Sequence, residues 1–351
     1  AASLDLGDVL QTAIESAVEA LALETGAIYL LDGAQLVLGA TTPPLPDDLP
    51  DAFRREPLAG HPHLARCMVE REPVAIEDRE AAVLSGPERA VCEARRLKSL
   101  LFVPVLVDED AVGAFIVGSV GHPRRFGEKD VDLCRALSHE IGLALANAKL
   151  YDSLQRSHEE LERAYDATIE GWSLALEMRD DETQGHALRV AALAVELGRG
   201  IGMSDEELVH LRRGALLHDI GKMVVPDAIL RKPGPLTEEE WAVMRRHPEN
   251  GREFLRKVAY LEPALDVPYA HHERWDGSGY PRGLAGEEIP LSARVFAVAD
   301  AFDALTSDRP YRKAWPEEDA LAYVQAHAGT QFDPEVVEVL ERCRGRARTD
   351  G

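Results

Sequence analysis

His218-Asp219-Ile220-Gly221-Lys222 is the stretch that decides how the second half of this chain folds. An imidazole and a carboxylate stand side by side, a glycine follows, and a lysine lies one turn further on. Upstream, Glu182 and His186 are four residues apart, a spacing that puts both on one face of a helix. Downstream come His247, the pair His271 and His272, and Asp300. Imidazoles and carboxylates together suit Fe, Mn or Zn, and the lack of a nearby cysteine argues against a structural zinc knot. A helix splays adjacent residues apart, yet the Asp219 carboxylate is able to reach around and bridge two ions while His218 binds one. The expectation is a polynuclear metal site spread over several helices. Two ions about 3.5 to 4 Å apart acidify water and clamp the entering and leaving oxygens of a phosphoester, so phosphodiester hydrolysis is the reaction such a cluster suits.

Asp300 lies in the apolar run Arg294-Val-Phe-Ala-Val-Ala-Asp300-Ala-Phe-Asp303. An unpaired charge buried there would be too costly, so this carboxylate must cap or bind something. Asp303, three residues on, shares its helix face and is expected to support the ligands from behind. A phosphodiester substrate also needs cations beyond the metals. Lys222 offers a point charge, and Arg309 with Arg312 can present guanidinium forks to phosphate oxygens. The eleven residues Asp276-Gly-Ser-Gly-Tyr-Pro-Arg-Gly-Leu-Ala-Gly286 contain four glycines and a proline and are read as a loop. Following directly on two ligands, that loop is placed to cover the substrate mouth, with Tyr280 and Trp275 as flat surfaces on which a base can stack.

In this order, the segments Glu182-Thr-Gln-Gly-His186, His218-Asp219-Ile-Gly221-Lys222, Met244-Arg-Arg-His247-Pro, His271-His272-Glu-Arg-Trp-Asp-Gly-Ser-Gly279-Tyr280-Pro281 and Asp300-Ala-Phe-Asp303-Ala-Leu-Thr-Ser-Asp-Arg309-Pro-Tyr-Arg312 resemble the HD-GYP domains of bacterial cyclic-dinucleotide phosphodiesterases. The resemblance runs from near Leu174 to Leu340, without departure from the pattern in these segments. It implies hydrolysis of the second messenger cyclic di-GMP to linear pGpG, with pGpG or GMP left open as the endpoint. It also implies His186, His218, Asp219, His247, His271, His272 and Asp300 as metal ligands. Glu182 matches a carboxylate present in only part of the family and associated there with a third ion, so two or three divalent ions are expected, Fe or Mn. The family uses Lys222, Arg309 and Arg312 for phosphate, and the Gly279-Tyr280-Pro281 loop for protein contacts that include diguanylate cyclases. Asp219 and Lys222 are the expected catalytic residues; no side chain stands out as the general acid. Two other readings remain open: a catalytically silent module that binds cyclic di-GMP or a cyclase, and a hydrolase of a mixed cyclic GMP-AMP dinucleotide.

Charge and composition set the outer limits. Of 351 residues, 39 are Lys or Arg and 62 Asp or Glu, a net charge of −23 that repels nucleic acid polymers and acidic membranes. A hydrophobic content of 45% is ample for packed cores. Cys67, Cys92, Cys134 and Cys343 show no paired spacing, which points to a reduced, cytoplasmic protein. No apolar run approaches the roughly 20 residues that span a bilayer. The sequence opens without an initiating Met or a signal peptide, as a piece of a longer protein would.

Residues 1–127 have a different texture. Ala27-Ile-Tyr-Leu-Leu31 and Gln35-Leu-Val-Leu-Gly39 flank Asp32-Gly33 as a hairpin, Val74-Ala-Ile76 is a short strand, and Ser99–Val107 with Ala111–Ser119 flank Asp108-Glu-Asp110 as a second hairpin. Helices are expected over Leu4 to Leu23 and Pro87 to Arg96, with His61 and His63 at another helix start. This α+β order, an antiparallel sheet with helices, resembles a GAF sensory domain; it shows no clear ligand signature, and Cys92 reads as a free thiol rather than a chromophore anchor. A linker helix is expected over 128–178. From Tyr151, steps of three and four through Leu154, His158, Leu161, Tyr165, Thr168 and Trp172 suggest a coiled-coil seam joining two copies in a homodimer. Residues 179–351 are expected to form the all-α metal-dependent phosphohydrolase domain. Ser204-Asp-Glu-Glu207 and Thr237-Glu-Glu-Glu240 read as capping boxes of helices leading to His218 and His247.

Overall fold

The computed structural model describes residues 6–45, 53–180, 185–308 and 313–347, and the chain divides into two compact units, residues 1–158 and 159–351.

In the first unit, α1 (Leu6–Ala20) precedes β1 (Thr25–Asp32), β2 (Gln35–Thr42) and β3 (Arg55–Pro57). There follow α2 (Pro62–Glu70), β4 (Val74–Ile76), α3 (Gly86–Ala94), β5 (Ser99–Val107) and β6 (Asp110–Ser119). The strands form one antiparallel sheet in the order β3-β2-β1-β6-β5-β4. After Ser99, β5 is apolar to its end because both of its faces are covered. Leu101, Val103 and Val105 pack with Leu10 and Ile14 of α1 and with Cys134 and Ile141, while Leu100 and Phe102 pack on the opposite side with Leu64, Met68 and Cys92. α3 starts at a capping box that the sequence reading missed: Ser85 Oγ accepts from Glu88 N, and Glu88 Oε2 accepts from Ser85 N.

One helix, α4 (Glu128–Asp180), covers the stretch expected as linker; its residues through His158 group with the first unit and those from Glu159 with the second. The latter part of the expected seam also touches the rest of the second unit. Tyr165 stacks on Tyr260 with ring centroids 4.5 Å apart, and Trp172 meets Phe254 edge-on at 6.2 Å. Ile169 is buried in the core of the second unit, and Asp166 accepts from Arg213 Nε at 2.8 Å. Tyr165 and Trp172 nevertheless remain 42% and 37% exposed, so these contacts cover only part of that face.

The second unit continues with α5 (His186–Ile201), α6 (Asp205–Leu216), α7 (Asp227–Leu230), α8 (Glu238–Met244), α9 (His247–Leu255), α10 (Asp266–Ala270), α11 (Leu291–Thr306), α12 (Glu317–Ala326) and α13 (Pro334–Ala347). Val190, Ala194 and Leu197 of α5 pack among Leu211 and Leu216 of α6, Phe296 and Val298 of α11, and Val336 and Leu340 of α13. Both expected capping boxes form: Ser204 with Glu207 starts α6, and Thr237 with Glu240 starts α8. Each cap fixes a helix whose far end delivers a histidine, α6 to His218 and α8 to His247.

Candidate metal centre

Seven of the eight residues expected as ligands are described, and all seven converge; Glu182 lies outside the described residues. His186 opens α5, His218 and Asp219 follow α6, His247 opens α9, His271 and His272 follow α10, and Asp300 sits in the middle of α11. Ligand atoms of Asp219, His247, His271 and His272 lie within 4.8 Å of one another, as do those of His186, His218 and Asp300. The Asp219 carboxylate stands between the two groups: Oδ2 is 3.0 Å from His218 Nε2, and Oδ1 is 3.2 Å from His247 Nε2 and 3.7 Å from His271 Nε2.

Close backbone packing sets this geometry. At Gly221 a Cβ would fall 1.8 Å from the His247 carbonyl oxygen, so only glycine lets the turn after Asp219 rest on the backbone that carries His247. A Cβ on Gly279 would fall 2.5 Å from the His272 carbonyl oxygen and 2.4 Å from Arg274 N. The loop is thereby folded back onto the segment that carries two ligands.

Four imidazoles share one arrangement: Nδ1 faces an acceptor outside the cluster and Nε2 faces inward. Nδ1 of His218 donates to the Ala215 carbonyl at 2.8 Å, that of His247 to the Met244 carbonyl at 2.8 Å, and that of His271 to the Val267 and Pro268 carbonyls at 3.1 Å. Nδ1 of His186 donates to Asp303 Oδ2 at 2.8 Å. Since a carbonyl or carboxylate only accepts, the neutral ring carries its proton on Nδ1 and presents Nε2 as the metal-binding nitrogen, while a further proton on Nε2 of His218 or His247 is donated to Asp219. Nε2 of His247 and Nε2 of His271 are 3.1 Å apart, close enough to share one proton or to bind the same cation. Outward-bonded imidazoles with inward lone pairs are the usual support for metal ligands. This His/Asp set is therefore chemically suited to hold divalent ions.

The electrostatics agree. Burial pushes the Asp219 carboxyl up, but the charges of His218 and Lys222 and hydrogen bonds from His218 and His247 outweigh it and hold the group well below the usual carboxylate range. Asp300, also raised by burial, is brought below its ordinary value by His186. Burial lowers His271, and burial together with the charges of His271 and His247 lowers His272 far more. His218 runs the other way: burial lowers it, but Asp219 more than compensates. Ionised Asp219 and Asp300 beside neutral His271 and His272 are the protonation states that ligation requires.

Of the residues expected around the ligands, Lys222 places Nζ 2.7 Å from Asp219 Oδ2. Tyr280 stacks on His272 with centroids 4.7 Å apart, and Arg294 lies over the Trp275 ring at 5.9 Å. Arg309 and Arg312 lie outside the described residues. The sequence reading overlooked several supports. Arg189 holds Asp303 through Nε at 2.8 Å and Nη2 at 3.1 Å. Buried Glu177 accepts from Gly185 N and Ala187 N, both at 2.8 Å, and so caps the helix that His186 opens. Buried Glu273 accepts from Arg282 N at 2.8 Å and Leu284 N at 3.0 Å, which clasps the loop beyond Pro281. Only Glu273 had a signal in the sequence, as a carboxylate next to two ligands.

Residues 3–146 match the GAF domain family and residues 172–336 the HD domain family. Over 244 residues the chain is 44% identical to the cyclic di-GMP phosphodiesterase response regulator RpfG of Xanthomonas campestris pathovar campestris, a match covering 69% of this chain and 64% of that protein. It is 37% identical over 238 residues to the 3′3′-cGAMP-specific phosphodiesterase 2 of Vibrio cholerae serotype O1, covering 67% of this chain and 44% of the relative. A cyclic di-GMP phosphodiesterase of Thermotoga maritima is 41% identical over 193 residues, 53% of this chain and 52% of its own length. The chain spans less than two thirds of each of these relatives. Sheet, helical unit, histidine cluster and matches agree: the chain joins a GAF domain to an HD domain.

Proposed function

We propose that the helical unit is a metal-dependent phosphodiesterase that hydrolyses cyclic di-GMP to pGpG and onward to GMP, regulated by the GAF domain. The observation that carries this reading is the inward turn of four Nε2 atoms, those of His218, His247 and His271 toward Asp219 and that of His186 toward Asp300. His186, His218, Asp219, His247, His271, His272 and Asp300 would hold the ions, two or, with Glu182, three, of Fe or Mn. Ions bound there supply Lewis acidity at the phosphoryl oxygens and acidify water.

The chain's own residues do the rest. Asp219 presents one carboxylate oxygen to each half of the cluster, and Lys222, one turn away, offers its ammonium to the charge that builds on phosphate. Tyr280, seated on His272, gives a stacking face at the mouth. Arg309 and Arg312 are assigned to the second phosphate on their sequence positions.

The substrate reading follows relatives whose names carry cyclic di-GMP; others, such as the Vibrio cholerae protein, are named for 3′3′-cGAMP, so the mixed dinucleotide is the competing substrate. Single-turnover hydrolysis of an equimolar mixture, resolved by chromatography, decides. Cyclic di-GMP is expected to disappear first, and preferential loss of cGAMP would reverse the assignment.

We assign the working form as a cytoplasmic homodimer through α4, in which 1–127 senses, 128–178 transmits and 179–351 hydrolyses. Leu150, Leu154 and Leu161 are 69%, 69% and 51% exposed at steps of four and seven, the repeat a second helix would cover. Among the described residues no helix is long and apolar enough to cross a membrane. The exposed rim of the loop, Asp276 and Ser278, is the surface a diguanylate cyclase would meet.

A further inference from the structure

Glu177 and Arg179 stand two residues apart near the end of α4, a spacing that sends side chains of one helix toward different neighbours. Glu177 turns to the backbone that carries His186. Its Oε2 accepts from Gly185 N and its Oε1 from Ala187 N, so the chain on either side of that histidine is held by one buried carboxylate. Arg179 turns to the segment that follows Asp219. Its guanidinium donates to the carbonyls of Lys222 at 3.3 Å, of Met223, and of Val225 at 2.8 Å, and to Asp227 Oδ1 at 2.8 Å. Only a planar fork of five donors can serve so many acceptors at once.

The second grip is reciprocal. Arg231 reaches back to α4, with Nε donating to the Arg179 carbonyl at 2.7 Å and Nη2 to the Met178 carbonyl at 3.3 Å, groups that a helix end leaves without partners. The segment held in this way, Ile220–Val224, brings Lys222 Nζ to Asp219 and rests Gly221 on the His247 backbone. Glu177 and Arg179 therefore grip opposite halves of the candidate metal centre. His186 groups with His218 and Asp300, and Asp219 with His247, His271 and His272.

We propose that the end of α4 is a clamp that positions this centre: Glu177 fixes the His186 half, Arg179 fixes the Asp219 half, and the helix between them sets their separation. The inference rests on the metal reading of the cluster. A shift of α4 along or about its axis is felt at both halves together. Contacts that served the fold alone would lower the unfolding temperature and leave the ion affinity of the folded chain as it was.

The test is competition for Mn(II) against a chelator of known affinity, with thermal unfolding recorded for every protein. No hydrolysis is read, so the outcome is independent of the substrate assignment. Glu177→Gln and Arg179→Met are each expected to weaken Mn(II) binding by about tenfold at temperatures where the variant is fully folded. Because both arms set one separation, the double variant is expected to lose little more than either single, whereas independent contacts would multiply to about a hundredfold. Arg231→Met loosens the same joint from an exposed residue, which keeps the test decisive if Arg179→Met does not fold, and a smaller loss in the same direction is expected. A parent that takes up no Mn(II) overturns the metal reading and the clamp together. With Mn(II) bound by the parent, the clamp alone is overturned if the folded variants bind the ion like the parent, or if the losses from Glu177→Gln and Arg179→Met multiply.

Discussion

The Tyr280 ring lies on the His272 ring, centroids 4.7 Å apart and planes 27° from parallel, so the glycine-rich loop rests on the candidate metal centre. Tyr280 N also donates to the His272 carbonyl at 3.2 Å. The loop beyond Pro281 is secured by Glu273, the residue after His272, whose two carboxylate oxygens take the Arg282 and Leu284 amides. Removing that carboxylate leaves two amides without a partner. Glu273→Ala is expected to destabilise the helical unit by about 2 kcal/mol and to raise the KM for cyclic di-GMP about tenfold, with metal content unchanged. Steady-state kinetics together with metal analysis check it; an unaltered KM would show that the loop does not shape the substrate mouth.

Asp303 takes the Nδ1 proton of His186 and is itself held by Arg189. Removing it frees the ring to rotate and to move its proton to the nitrogen that faces Asp300. Asp303→Ala is expected to weaken metal retention by about 10- to 100-fold. Competition against a chelator of known affinity measures this, and an unchanged affinity would mean that His186 needs no fixing.

Leu154 and Leu161 are exposed on α4 at a seven-residue spacing. Leu154→Glu combined with Leu161→Glu is expected to convert a dimer to a monomer in sedimentation. A parent chain that sediments as a monomer, or a double variant that stays dimeric, contradicts the assignment of α4 as the contact.

Glu88 carries a pH signature in the GAF unit. Burial pushes its carboxyl up, but hydrogen bonds from the His63 and Ser85 amides and from the His63 ring outweigh that and hold it below the ordinary value. A carboxyl depressed by folding adds stability above its unfolded pKa, and that contribution disappears as pH falls through the folded value. The parent is expected to exceed Glu88→Gln by about 1 kcal/mol at neutral pH, the gap closing below about pH 4, where protonated Glu88 resembles glutamine. Urea unfolding across pH checks the sign; a gap that widens on acidification contradicts it.

The sequence carried the metal centre further than it carried the sheet. His218-Asp219, His271-His272 and the two capping boxes are short-range patterns with one physical meaning each, and the structure brings the described ligands together. The β5–β6 hairpin was equally plain, because an unbroken apolar run next to an acidic turn leaves little else for the backbone to do. β3 was invisible, since Arg55-Glu56-Pro57 is too short and too polar to show alternation. Glu177 and Arg189 were missed because their partners, Ala187 N and Asp303, are set by how helices meet rather than by local spacing. Tyr165 and Trp172 touch Tyr260 and Phe254 yet stay partly exposed, and heptad spacing does not name which neighbour covers such a face.

The central claim is that Asp219 organises ions that hydrolyse a cyclic dinucleotide. The most direct measurement is product analysis of cyclic di-GMP incubated with anaerobically purified, Fe(II)- or Mn(II)-loaded protein, with metal content determined on the same sample and on Asp219→Ala. The account predicts pGpG, then GMP, from a chain holding at least two ions, and an Asp219→Ala protein that has lost both metal loading and turnover. A fully loaded chain that leaves cyclic di-GMP and 3′3′-cGAMP intact, or an Asp219→Ala variant with undiminished activity, would contradict it.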